Sequence, residues 1–159
     1  YYATADGSMI REVLHPLDGP NGVGLSPDGS TVYVAETFSG RLWAWEVVAP
    51  GELRTKAKGR VHGGRLLVGL PGYDMFDSLA VDALGNVCVA TIGDHSGITV
   101  VAPDGSGYHH VMLPGDFHDP ITTNICFGGP DLRTAYITLS ATGRLVAVDW
   151  DTPGLRLTY

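Results

Sequence analysis

A chain of 159 residues that is 44% apolar and 17% charged has the composition of an ordinary globular domain and enough length to bury a core. Its formal charge of −7 repels phosphate backbones and anionic lipid head groups, which argues against nucleic acid or a membrane surface as a partner. No apolar run approaches the roughly 20 residues of a membrane-crossing helix, and 22 Gly with 10 Pro among short β-rich runs imply many turns and no long helix.

Tyr1-Tyr2-Ala3-Thr4-Ala5-Asp6-Gly7-Ser8 matches Thr99-Val100-Val101-Ala102-Pro103-Asp104-Gly105-Ser106 farther on. The chain is therefore expected to begin inside a repeating unit, with residues 1–17 giving the end of one strand and a second strand at Met9 to Leu14. A strand, a tight turn and another strand then follow three times over. The pattern reads Asn21-Gly22-Val23-Gly24-Leu25-Ser26-Pro27-Asp28-Gly29, then Asp77-Ser78-Leu79-Ala80-Val81-Asp82-Ala83-Leu84-Gly85, then Thr123-Asn124-Ile125-Cys126-Phe127-Gly128-Gly129-Pro130-Asp131. Each copy leads into a β-rich run, expected near 31–36, 86–91 and 134–139. Third strands are legible at 41–47, 97–101 and 143–149, and fourth strands at 65–70 and 108–113.

Asp77 follows Asn21 by 56 residues, and Thr123 follows Asp77 by 46. That is the spacing of four-stranded propeller blades of roughly 40 to 50 residues. The expected fold is all-β, a partial β-propeller over 1–159, with blades at 18–70, 71–113 and 114–159 after the end of a blade at 1–17. Large side chains such as Leu79 and Val81 occupy one strand parity and small ones such as Gly22, Gly24, Ala80 and Cys126 the other, so that each large face can pack on its neighbour's small face. About three blades cannot close a ring, and exposed faces at Met9 to Leu14 and beyond Phe127 are expected to make the chain self-associate.

Alternating strand direction sorts the loops. One face of the sheet stack, called the upper face below, receives Asn21, Asp77 and Thr123 together with Thr37-Phe38-Ser39, Gly93-Asp94-His95-Ser96 and the segment Gly115 to Pro120. The lower face carries the Asp-containing turns at Asp28, Asp104 and Asp131, whose aspartates are turn residues. It also takes the excursion from Gly51 to Arg65, which holds five of the ten Lys and Arg residues and is expected to be solvated. Asn21 and Asp77 stand at the same position of neighbouring units. An amide oxygen and a carboxylate meeting there suit a hard divalent cation, and the alternative is that both cap the loop into their strands.

These three motifs resemble the SMP-30/gluconolactonase family, which includes luciferin-regenerating enzyme-like proteins, over nearly the whole chain. The resemblance implies the carboxy-terminal half of a six-bladed propeller with one divalent metal ion at the top of its axis, calcium or zinc, with magnesium and manganese as further candidates. It implies a small-molecule substrate, a sugar-type or related lactone, opened by hydrolysis. Asn21 becomes a metal ligand, and Asp77 both a metal ligand and the catalytic acid/base. Other family features, a Glu ligand, a further Asn near the metal, a substrate-binding Arg and a lid, belong to the amino-terminal half. Phe76-Asp77-Ser78 stands where many relatives have Pro-Asp-Gly. Rival readings are a propeller that binds a ligand or protein without turnover, and a metal-dependent esterase or phosphotriesterase.

Phe38, His95 and His118 are candidates to line a substrate site, the two histidines weighed against simple solvation. Cys88 and Cys126 lie on strands among apolar residues and are expected in the core as free thiols, which favours a reducing compartment, the cytoplasm. His109 and His110 point to opposite faces of a strand and cannot share an ion. Position twelve of the loop that starts at Asp104 is Gly115, so it lacks the Glu of a calcium loop, and the chain has no Gly-x-Ser-x-Gly nucleophile elbow.

Overall fold

The structure, a computed structural model, describes residues 1–55 and 62–157. It is all-β apart from one 3-10 turn at Gly115–Phe117. In chain order the strands are β1 (Tyr2–Ala3), β2 (Ile10–Arg11), β3 (Pro20–Leu25), β4 (Thr31–Glu36), β5 (Arg41–Ala49), β6 (Glu52–Leu53), β7 (Arg65–Gly69), β8 (Met75–Val81), β9 (Val87–Ile92), β10 (Gly97–Val101), β11 (Tyr108–Val111), β12 (Thr122–Gly128), β13 (Thr134–Leu139) and β14 (Arg144–Asp149). The period-2 pattern placed the second strands to within a residue. The middle of the basic excursion, 56–61, lies outside the described residues.

Every pairing is antiparallel between strands adjacent or nearly adjacent in sequence, as short turns allow. A first sheet runs β3-β4-β5 with β7 on the far side of β5 and the short β6 hairpin at its end; a second is β8-β9-β10-β11; a third is β12-β13-β14; and β1 pairs with β2. Asx-type turns hold the lower ends. Asp28 accepts hydrogen bonds from the hydroxyls of Ser26 and Ser30, and buried Asp82 accepts the backbone N–H groups of Leu84 and Asn86.

The sheets stack face to face through strand parity. On β9, Val87 and Val89 join Leu79 and Val81 of β8 in a core against the first sheet, while Cys88 and Ala90 join a second core with Ile125, Ile137 and Leu139 of the third. Gly22 and Gly24 of β3 are small for a reason. A Cβ on Gly22 would stand 2.8 Å from the Asp77 carbonyl oxygen, and one on Gly24 would stand 2.7 Å from Leu79 Cδ1. Burial of side chains such as Leu79 and Val81 in that seam contributes about 1.5–3 kcal/mol each. Arg65 ties the same two sheets at the lower face through the carbonyls of Pro103 and Asp104.

One core assignment is corrected. Cys88 is fully buried, but Cys126 is exposed. It sits on the small-residue parity of β12, which among the described residues has no sheet packed on it. The large-residue parity at the opposite end is open too, with Val23 65% and Leu25 50% exposed.

Candidate functional site

All three first strands break register at their upper ends: between Pro20 and Val23 on β3, between Phe76 and Leu79 on β8, and between Thr122 and Asn124 on β12. Asn21, Asp77 and Thr123 lie inside these irregularities. A β-bulge frees its residue from the strict alternation of the pleat and is a device that re-aims a side chain. This device was not visible in the sequence, because a bulge is a property of the cross-strand register.

Close packing of β3 on β8 puts Asn21 beside Asp77. Burial raises the Asp77 carboxyl above its ordinary value, against the lowering effect of hydrogen bonds from the Asn21 side chain and the Ser78 backbone N–H. A carboxylate with raised proton affinity is a better base than one in water. The Asn21 amide also donates to Thr37 Oγ1 at 3.3 Å. Turning that amide by half a rotation about its last side-chain bond presents Oδ1 in place of the hydrogens, and with Asp77 it then offers two hard oxygens of the kind calcium takes. Among the described residues no group of three or more His, Cys, Asp or Glu side chains is gathered to hold a metal ion. These residues fit a divalent cation as a two-oxygen contribution.

Thr123, the third head, does not join the pair. Its hydroxyl lies 2.9 Å from Thr138 Oγ1 and 2.6 Å from Ser140 Oγ, within its own sheet. Phe38 is 74% exposed. Its ring lies over Gly19, where an added Cβ would come within 2.6 Å of it, and it follows Thr37, the partner of Asn21, in the chain. His118 ends the 3-10 turn on the exposed segment leading to β12. His95 is held by a carboxylate, not merely solvated: its Nδ1 lies 2.7 Å from Asp74 Oδ2.

Asp74 and Asp119 were not anticipated. Both are buried acids just ahead of a first strand. Asp119 accepts the N–H groups of Ile121, Ala141 and Thr142 and the Thr142 hydroxyl, joining the approach to β12 with the β13–β14 turn. Burial pushes its carboxyl up, but these bonds outweigh it and leave the group below its ordinary value. In the first sheet Glu36 does this work, accepting from Ser39, Trp43 and the Asp18 N–H. The sequence signal was the recurrence of Asp three or four residues ahead of Asp77 and Thr123. The mapped hollows lie elsewhere. One of about 410 Å³ opens at the lower face between Pro27, Tyr33, Arg65 and Pro103, and its lining includes neither Asn21 nor Asp77.

The sequence model described as SMP-30/Gluconolactonase/LRE-like region matches residues 1–141. The chain is 30% identical to a 6-deoxy-6-sulfogluconolactonase from Pseudomonas putida over 142 residues, which are 84% of this chain and 43% of that protein. It is 29% identical to a diisopropyl-fluorophosphatase from Loligo vulgaris over 97% of its own length and 46% of the other. Among solved structures, a gluconolactonase from Xanthomonas campestris superposes with a TM-score of 0.68 at 25% identity, over 95% of this chain and 42% of that one. The chain spans less than half the length of each of these proteins.

Proposed function

We infer, from the premise that this chain belongs to the SMP-30/gluconolactonase/LRE-like family, that it carries the metal-binding and proton-accepting part of a lactone hydrolase. The observation that carries this reading is the pairing of Asn21 and Asp77 at bulged strand heads of neighbouring sheets. On this reading the stacked sheets are about half of a six-bladed ring, and the pair faces its axis.

Asn21 and Asp77 would hold one divalent ion, calcium or zinc. Such an ion polarises a lactone carbonyl and stabilises the negative charge that develops on its oxygen. On this reading Asp77 would also accept a proton from the water that adds to the carbonyl carbon. Phe38, an exposed ring next in the chain to Thr37, is the candidate apolar wall for the carbon face of a lactone ring. The substrate class follows from the relatives' names, lactonases and gluconolactonases.

A second reading has its own support in the likeness to a diisopropyl-fluorophosphatase, which extends over nearly the whole chain. The same two oxygens could serve hydrolysis of a phosphorus ester. Assay of the metal-loaded natural protein on a sugar lactone, an aliphatic lactone, an aryl ester and a phosphotriester separates them. Lactones turned over at least about tenfold faster than the others, about 1.4 kcal/mol in the barrier, support the proposal. A preference for the phosphotriester replaces it with the second reading, and turnover of none refutes both.

A further inference from the structure

We propose that the hollow at the lower face is a binding site of its own, for a neutral polyhydroxylated molecule the size of a single sugar ring. It does not include Asn21 or Asp77 and does not depend on the lactonase reading. Its walls come from the turns after β3, β8 and β10, which converge below the seam between the first and second sheets, with Arg65 of β7 beside them. Gly85 brings bare backbone between two prolines: a Cβ there would stand 3.5 Å from Pro27 Cδ and 3.7 Å from Pro103 Cβ. The volume of about 410 Å³ falls within the roughly 300–1,000 Å³ of small-molecule sites.

Tyr33 is what distinguishes this hollow from a groove between turns. The residue is 2% exposed, and its side chain belongs to the core that the first two sheets share with Leu67, Val81 and Val87. A phenol buried to that degree ordinarily finds a hydrogen-bond partner. Among the described residues nothing bonds to the Tyr33 hydroxyl, and no fully buried polar side-chain atom among them lacks a partner. The hydroxyl therefore keeps contact with solvent, and the hollow that Tyr33 lines is where it does so. Burial raises the pKa of the phenol, Arg65 lowers it and Asp28 raises it. The group thus holds its proton at neutral pH, a donor aimed at the hollow with both charges near it.

The remaining groups select the ligand. Arg65 gives Nη1 to the Asp104 carbonyl at 2.8 Å and Nη2 to the Pro103 carbonyl at 3.2 Å, and a guanidinium has further N–H donors to offer. Asp28 and Asp104 are acceptors: hydrogen bonds from Ser26 and Ser30 lower the Asp28 carboxyl to about 2, and those from Ser106 hold Asp104 below its ordinary value. Two negative charges against one positive oppose an anion. An ammonium ion would meet Arg65 and has no acceptor for the phenol or the guanidinium. A hydroxyl both donates and accepts, so a polyol can serve Tyr33, Arg65 and a carboxylate together while its C–H face rests against Pro27 and Pro103.

Titration of the natural protein with D-glucose, D-gluconate and D-glucosamine, followed by methyl NMR, tests the assignment. Leu84 lines the hollow and is 72% exposed, so its methyl resonances report on this face. Glucose should shift them to saturation with a Kd on the order of 1–10 mM, and gluconate and glucosamine should each bind at least about threefold more weakly. Tyr33→Phe removes only the unpartnered oxygen. It should weaken glucose at least about fivefold, the loss of one hydrogen bond, without lowering the urea midpoint of unfolding. Asp104→Asn should narrow the gap between glucose and gluconate at least about twofold, since it removes one of the two opposing charges. Leu84 resonances that glucose leaves unmoved, either ion binding as tightly as glucose, or a Tyr33→Phe variant with parental affinity overturns the proposal. So does a lower unfolding midpoint for Tyr33→Phe, which would give the hydroxyl a structural partner in place of a ligand. None of these results bears on lactone opening, whose tests stand apart at Asp77.

Discussion

Gly22→Ala probes the seam that brings Asn21 to Asp77. The added methyl would stand 2.8 Å from the Asp77 carbonyl oxygen and 2.9 Å from the Leu79 backbone nitrogen, so β8 must retreat about 0.6 Å to reach an ordinary 3.4 Å contact. Both obstacles are backbone, and backbone cannot rotate aside. Overpacking of this kind costs about 1–3 kcal/mol, and the rigid obstacle places Gly22→Ala in the upper half of that range. Gly24→Ala is the internal control, because its nearest obstacle is a Leu79 methyl at 2.7 Å, the movable end of a side chain. It should cost less than about 1 kcal/mol, part of it offset by the reduced entropy of the unfolded chain. Equilibrium urea unfolding followed by tryptophan fluorescence measures both. The retreat also separates the two site residues, and since a 1 Å misplacement can cost about 10²-fold in rate, a shift of this size should cost about tenfold. Gly22→Ala as stable as the parent, or less harmful than Gly24→Ala, would refute the interlocked seam.

Asp119 has a folded pKa below the ordinary carboxylate value, so its contribution is present above the unfolded value of 3.8 and is lost as pH falls through the folded one. Asp119→Asn should therefore lower stability at neutral pH by about 1–3 kcal/mol and flatten the acid limb of an unfolding-versus-pH series; an unchanged limb contradicts this. Asp77 has the opposite sign. Its raised value means that stability is full below the unfolded pKa and is lost as pH rises through the folded one, so Asp77→Asn should stabilise the metal-free protein at neutral pH. In calorimetric titration with calcium or zinc, Asp77→Asn and Asn21→Ala should each weaken binding at least about tenfold, as loss of one oxygen ligand implies. A thiol reagent should label exposed Cys126 in the native protein and reach Cys88 only on unfolding, because burial and the Asp82 charge push that thiol's pKa up; two native thiols reacting at one rate would contradict the packing.

The strands were legible because half-buried β-structure writes itself in period two. Val87, Val89 and Cys88, Ala90 divide between two cores as alternation requires. The repeated heads marked Asn21 and Asp77 without any knowledge of the structure. What the sequence hid were features made by three-dimensional register. A bulge at Asp77 depends on which residue of β9 it faces, and the burial of Asp74 depends on the loop of His95 folding over it. Cys126 was misplaced because apolar neighbours signal a strand and a face, whereas burial needs a second sheet against that face.

The central claim is that Asp77, beside Asn21, does the proton chemistry of metal-dependent lactone opening. The most direct measurement is the rate of lactone opening by the natural protein and by its Asp77→Ala variant, with and without a chelator. Opening that chelation abolishes, that added metal restores and that Asp77→Ala reduces by more than about 10²-fold is the predicted result. A variant that keeps the parental rate, or a rate indifferent to chelation, contradicts the account.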